Sequence, residues 1–332
     1  IKMSKEIYKN KTILITGGTG SFGRAFVKYL TRKKFGLKKI IIFSRDELKQ
    51  FEMQNEFSAN ENKILRFFLG DIRDYERLKT ALENVDYVIH AAALKQVPAA
   101  EYNPIEFIKT NVLGTQNIIQ ACLERSVKKS ILLSTDKASS PINLYGATKL
   151  CADKLFISAN NIKGSKKISF SVVRYGNVMG SRGSVVHAFK KQIKEHNKIF
   201  LTDKNMTRFN ILLEDGIKLV LWTLQNSVGG EIVVPKLKSF RILDLAKSMG
   251  AKKILITGSR PGEKIHEEMI SVNESTNTIE QKDRYIILPE FLKNYYKNKG
   301  KRLSKTFCYN SFDNSEYLNQ KNLKNLIKNL KI

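Results

Sequence analysis

The chain has 332 residues, 42% of them hydrophobic, enough to bury a large core in one main domain with a smaller partner. Its 58 Lys and Arg against 31 Asp and Glu give a net charge of +27. That excess is spread along the chain, and residues 290–332 interleave it with Leu, Ile, Tyr and Phe, so it reads as a lysine-covered surface with no nucleic-acid partner. No apolar run reaches bilayer length, the stretch Ile1 to Lys11 lacks a secretory apolar segment, and Cys122, Cys151 and Cys308 lack metal-ligand spacing; a reduced cytoplasmic compartment, with no membrane and no metal, is expected.

Thr12 to Ile15 is a short apolar run that predicts a buried strand, ending at the turn Thr16-Gly17-Gly18-Thr19-Gly20-Ser21-Phe22-Gly23. Ser21 to Thr31 predicts a helix, Lys39 to Phe43 a second strand, and Arg45-Asp46 the start of a polar helix. Further strands are predicted at Ile64 to Leu69, Tyr87 to Ala92, Ser130 to Leu133 and Ile168 to Tyr175, with helical stretches between the earlier ones. Strands buried on both faces read as continuous apolar runs, and alternating βα units build a doubly wound parallel sheet of the Rossmann α/β class with right-handed crossovers. Past Gly176 the pattern is less regular, with helix-like pieces at Ile211 to Leu224 and Leu243 to Ser248. Residues 1–176 are expected to form a dinucleotide-binding domain, and residues 177–332 mainly a smaller substrate domain with later segments returning to the first.

Gly17, Gly20 and Gly23 stand as G-x-x-G-x-x-G between a strand and a helix. Such a turn needs positive φ and close backbone approach to a pyrophosphate, and the following helix offers N–H groups to that anion. The second strand ends Phe43-Ser44-Arg45-Asp46. Ser44, Arg45 and Lys49 suit a 2′-phosphate and favour NADP; Asp46 leaves NAD open, or caps the next helix. Asp71 is placed for the adenine amino group, or forms a turn. His90 reads as a packed strand-end histidine followed by small residues.

Tyr145 and Lys149 have the Y-x-x-x-K spacing that sets both on one helix face. A free tyrosine titrates near pH ~10, and a nearby ammonium together with a positive nicotinamide favours its phenolate. Ser134-Thr135-Asp136-Lys137 precedes them at a strand end and adds an acid and an amine.

Together with Gly70-Asp71-Ile72-Arg73-Asp74, Ala99-Ala100-Glu101-Tyr102-Asn103-Pro104, Asn143-Leu144, Arg174-Tyr175-Gly176-Asn177-Val178, Gly180-Ser181-Arg182-Gly183-Ser184 and Arg260-Pro261-Gly262-Glu263-Lys264, these motifs carry a resemblance. From Lys11 almost to the carboxyl terminus the chain resembles the extended short-chain dehydrogenases/reductases, and within them the inverting UDP-N-acetylglucosamine 4,6-dehydratases of pseudaminic acid synthesis. The resemblance implies that Tyr145 takes the sugar 4-hydroxyl proton and Lys149 holds the nicotinamide ribose. Thr135 binds the 4-oxygen, an uncharged Lys137 removes the carbon 5 proton, and a protonated Asp136 serves the departing 6-hydroxyl. It implies dinucleotide contacts at Thr19, Ser21, Phe22, Glu47, Leu48, Ile72, Ala91, Asn111 and Val178 besides those named, and nucleotide-sugar contacts at Lys95, Asn177, Arg182, Val185, Thr202, Arg208, Arg260 and Glu263. It also implies a homo-oligomer, dimeric or hexameric. Retaining dehydratases of the superfamily carry Asp-Glu where this chain has Asp136-Lys137; a 4-epimerase or such a retaining enzyme is the alternative. Gln96 in place of His, His187-Ala188 in place of Pro-Phe, and Asn205 and Asn210 in place of Arg and Trp depart from the pattern, and are expected around the sugar pocket.

Overall fold

A computed structural model describes residues 4–181 and 183–330. Six parallel strands make its centre: β1 (Thr12–Thr16), β2 (Lys39–Ser44), β3 (Leu65–Leu69), β4 (Tyr87–His90), β5 (Lys129–Thr135) and β6 (Ser169–Tyr175), in the spatial order 3-2-1-4-5-6. That is the doubly wound order, and its direction reverses between β1 and β4.

Successive strand residues point to opposite faces, so the apolar runs feed two cores. Ile13 and Ile15 join Phe26 and Leu30 of α1 (Ser21–Arg32) on one face, while Leu14 joins Ile118 and Phe156 on the other. Burying each such side chain stabilises the fold by roughly 1.5–3 kcal/mol. Observed ends differ from the sequence pattern by a residue or two. β4 stops at His90 because the Ala91 and Ala92 N–H groups turn to the Thr16 hydroxyl, both at 3.2 Å.

Later segments extend the same sheet. Ile232–Pro235 pairs parallel with β6, Arg284–Ile287 antiparallel with it, and Thr278–Glu280 and Lys301–Arg302 follow outward. A separate core of Met179, Val186, Phe189, Ile199, Phe240, Leu245 and Leu323 lies under the Val185–His196 helix. Beside it Lys238–Arg241, Thr207–Ile211 and Asn177–Val178 form a small sheet. The piece read as one helix from Ile211 is split: Ile211 ends a strand and the helix is Leu213–Asn226. Among the described residues no helix is long and apolar enough to cross a membrane.

Candidate active site

One cavity of about 920 Å³ opens along the carboxyl ends of β1, β2, β4, β5 and β6 and continues into the smaller core. Its floor at β1 is the glycine turn. Gly17 holds φ +64°, and a Cβ there would lie 2.9 Å from the Ala92 backbone. A Cβ on Gly23 would meet the Gly18 carbonyl oxygen at 2.4 Å, so glycine is what allows α1 to start this close to the strand. The α1 N-cap is Gly20, which brings no side-chain cap, so the helix amino end faces the cavity with its dipole. These features fit a dinucleotide pyrophosphate.

Gly17, Thr19, Gly20, Ser21, Phe22, Gly23, Ser44, Arg45, Asp46, Lys49, Asp71, Ile72, Ala91 and Val178 all line the cavity. Three residues placed in that set by resemblance do not. Glu47 and Leu48 sit exposed on α2 (Glu47–Asn55), turned outward by the helix that starts at Asp46. Asn111 is buried, and its amide is spent on the Leu94 carbonyl (2.9 Å), the Leu94 N–H (2.9 Å) and the Thr148 hydroxyl (3.1 Å). It clamps a loop to the Leu144–Ile162 helix. Asp46 caps α2 through the Lys49 N–H at 2.9 Å, and its carboxylate also pairs with the Lys49 ammonium, which holds it below the ordinary carboxylate range. Arg45 stands 3.6 Å from Asp71, and the Ser44 hydroxyl accepts from Gln50 at 3.0 Å. His90 bonds Thr16 at 2.8 Å and Thr115 at 3.1 Å, and burial pulls it down to about 3, so it stays neutral.

Thr135, Asp136, Lys137, Tyr145 and Lys149 share one stretch of cavity wall. Thr135 ends β5 and donates to Asp136 Oδ1 at 2.8 Å. Tyr145 and Lys149 come from the Leu144–Ile162 helix, capped by Asn143, whose side chain accepts from the Gly146 N–H at 2.8 Å. Lys149 donates to the Leu133 carbonyl at 2.8 Å. Burial lowers its ammonium to about 8, against the opposing pull of Asp153.

Two charge states differ from those the sequence suggested. Lys137 Nζ lies 3.1 Å from Asp136 Oδ1 and 2.9 Å from Glu267 Oε1. Burial alone would lower the amine, but the two carboxylates outweigh it and hold Lys137 as an ammonium above the usual lysine range. The uncharged amine is therefore not the resting form. Tyr145 is pushed up to about 12 by burial, and the cation that opposes this is Lys137, not Lys149. Burial raises the Asp136 carboxyl, with Lys137 opposing it, which is the direction its assigned acid role requires.

Lys95, Asn177, Val185, Thr202, Arg208, Arg260 and Glu263 line the cavity, while Arg182 lies outside the described residues. Arg208 is not a free diphosphate clamp here. It donates to the carbonyls of Thr207 (2.7 Å) and Ile265 (3.0 Å) and faces Glu267 at 3.5 Å. Arg260 is exposed and unencumbered by any such carbonyl bond among the described contacts. Of the departures, Gln96 and Ala188 line the cavity, and His187, Asn205 and Asn210 do not. His187 turns to the Gly180 carbonyl at 3.2 Å, and the Asn205 backbone N–H closes a turn on Asp203 at 2.6 Å. Asn210 pairs through its backbone with Lys238 and Asn177, while its side-chain Oδ1 is buried without a hydrogen-bond partner. Glu267 was missed by sequence reasoning. The one signal was a pair of acids running straight into the apolar strand Glu268–Ile270.

A doubly wound sheet with a Tyr–Lys pair at its switch-point cavity defines the short-chain dehydrogenase/reductase class. Comparison narrows this: the chain belongs to the polysaccharide biosynthesis protein family, matched over residues 13–289. It is 51% identical over 332 residues to a Campylobacter jejuni subsp. jejuni protein named UDP-N-acetylglucosamine 4,6-dehydratase (inverting), covering 97% of this chain and 98% of that one. A Rickettsia rickettsii protein named UDP-glucose 4-epimerase is 42% identical over 288 residues, 85% of this chain and 84% of that one. The X-ray structure of Pen from Bacillus thuringiensis superposes with a TM-score of 0.90 at 40% identity, covering 98% of both chains.

Proposed function

We propose that this chain is an inverting UDP-N-acetylglucosamine 4,6-dehydratase, yielding a UDP-2-acetamido-2,6-dideoxy-hexos-4-ulose epimerised at carbon 5. The observation that carries the reading is the Asp136-Lys137 pair at the end of β5, on the same cavity wall as Tyr145. A dehydratase needs an acid, a base and a group for the 4-hydroxyl on one ring; a 4-epimerase needs only the last.

A nicotinamide dinucleotide, NADP in preference to NAD, supplies hydride removal at carbon 4 and its return at carbon 6. Tyr145 takes the 4-hydroxyl proton while Thr135 bonds the same oxygen. The ketone acidifies carbon 5, and Lys137, once it has shed the proton its carboxylate neighbours stabilise, removes that hydrogen as a proton. Asp136 gives its proton to the 6-hydroxyl, which leaves as water. A solvent-derived proton then reaches carbon 5 on the face opposite to the one Lys137 deprotonated, which inverts the centre and leaves Lys137 in its resting ammonium form. Lys149 positions the ribose, and Arg260, Glu263 and Asn177 from the smaller domain, residues 177–332, face the nucleotide sugar together with Lys95 from the loop after β4.

Incubation with UDP-N-acetylglucosamine in deuterated water tests the reading. Loss of one water by mass, with deuterium at carbon 5 by NMR, is expected. An unchanged mass with a 4-epimer would establish the epimerase instead. Calorimetry with NADP and NAD tests the cofactor preference. The proposed setting is a cytoplasmic homo-oligomer supplying sugars of the pseudaminic acid type for surface glycans.

A further inference from the structure

We propose that Glu267 is a positioning residue for Lys137, fixing the direction of its ammonium and setting the pH at which it becomes a free base. The inference rests on the dehydratase reading and deepens it. Glu267 is 2% exposed and does not line the cavity, so it reaches the sugar only through Lys137. Its backbone is locked from both sides by one residue: its N–H donates to the Ser311 hydroxyl at 2.9 Å, and its carbonyl accepts from the Ser311 N–H at 2.8 Å. From that fixed point Oε1 lies 2.9 Å from Lys137 Nζ, while Oε2 is buried with no hydrogen-bond partner. A buried carboxylate oxygen without a partner costs the fold free energy, so its presence calls for an explanation beyond packing.

Asp136 does not make Glu267 redundant. Asp136 Oδ1 already accepts from the Thr135 hydroxyl, and in the elimination Asp136 carries the proton for the leaving hydroxyl. In that state it is neutral, and Glu267 is the carboxylate left to face the amine. The groups around Lys137 come from every neighbouring element: Asp136 from its own turn, Tyr145 from the Leu144–Ile162 helix, Arg208 from the Thr207–Ile211 strand, and Lys264 from the segment that carries Glu267. Lys264 is tied to the Ser139 carbonyl at 2.7 Å, and Glu268 accepts from Ser139 at 3.0 Å, so neither replaces Glu267. Arg208 and Lys264 repel the ammonium, which leaves Glu267 to outweigh them and the burial.

The test is Glu267→Gln in the full chain, read in two ways. One is the titration of Lys137 Nζ by NMR of lysine-labelled, ligand-free protein; the other is the pH profile of deuterium entry at carbon 5. Both midpoints are expected to move acid-ward by at least about one pH unit, a tenfold change in acid dissociation. Glu267→Asp keeps the charge but draws it back by a methylene, so a smaller shift in the same direction is expected, and it carries the test if the glutamine variant does not fold. A purely structural role lowers the melting temperature without moving either midpoint. Unmoved or alkaline-shifted midpoints in a chain that dehydrates UDP-N-acetylglucosamine overturn the role of Glu267 alone. A wild-type chain that does not dehydrate that sugar overturns the underlying reading instead.

Discussion

Replacing Arg174 by methionine is a sharp test of how the reacting helix is held. Arg174 is wholly buried near the end of β6. Its Nη2 lies 3.2 Å from Asp153 Oδ2 on the helix of Tyr145 and Lys149, and its Nη1 lies 3.0 Å from both Glu274 and the Met269 carbonyl. Methionine keeps much of the length and none of the charge, and leaves buried Asp153, whose Oδ1 already lacks a hydrogen-bond partner, without the guanidinium that pairs with it. Removing one member of a buried pair costs roughly 3–5 kcal/mol. At ~2.1 cal/mol/K per residue, a chain of this length has an unfolding entropy of about 0.7 kcal/mol/K. The melting temperature should therefore fall by about 4–7 °C at neutral pH.

The pH dependence has a definite sign. Burial already raises the Asp153 carboxyl despite Arg174, and without the guanidinium it rises further. A carboxyl raised in the folded state favours folding when protonated, so stability is fullest below its unfolded value and is lost as pH rises through the folded one. The deficit of Arg174→Met relative to wild type should thus shrink as pH falls toward about 4. Adding Asp153→Asn should recover over half of it at neutral pH. Paired thermal unfolding of the three proteins decides the matter. A fall below about 1 °C, or a deficit that grows on acidification, refutes the account of the buried pair.

Lys137→Ala should keep dinucleotide and sugar-nucleotide affinity but slow loss of water by at least about a hundredfold, read by product mass; normal dehydration removes Lys137 from the base role. Gly23→Ala should weaken dinucleotide binding at least about tenfold by calorimetry, because its Cβ meets the Gly18 carbonyl oxygen at 2.4 Å and pushes α1 off the turn. Lys149 loses its charge as pH rises through about 8, so affinity for the anionic dinucleotide should fall across that midpoint. Asp153→Asn removes the anion that supports Lys149 and should move the midpoint lower. Asn111→Ala should destabilise the fold by about 1–3 kcal/mol in denaturant melts, since the Leu94 backbone loses both partners, with dinucleotide affinity almost unchanged.

What the sequence made legible was local. β1, β2 and β4 announce themselves because strands covered on both faces must be almost wholly apolar, and Asp46 reads as a cap because a cap is decided within four residues. Tyr145 and Lys149 are legible for the same reason: one helical turn sets them on one face. Glu267 was not, because its partner Lys137 meets it only after the Glu268–Ile270 strand is docked against the turn after β5, and nothing near either residue encodes that meeting. His187, Asn205 and Asn210 misled in the opposite way. Their positions in a motif suggested the pocket, but none of the three lines the cavity, and His187 bonds the Gly180 carbonyl instead.

The site is built as a set of paired charges. Lys137 has Asp136 and Glu267, Arg208 has Glu267, and Lys149 has Asp153, which Arg174 supports in turn. An unpaired buried ammonium costs several kcal/mol, so pairing is the condition for keeping such groups out of water at all. It also means that the chain's net charge of +27 is not focused on the reacting groups. Tyr145 shows the consequence: burial pushes its phenol up to about 12, and the lowering effect of Lys137 is opposed by Asp136 beside it. At neutral pH such a phenol holds its proton by roughly five orders of magnitude. In the proposed reaction, positive charge brought to the cavity by the oxidised dinucleotide favours the Tyr145 phenolate and so its uptake of the 4-hydroxyl proton.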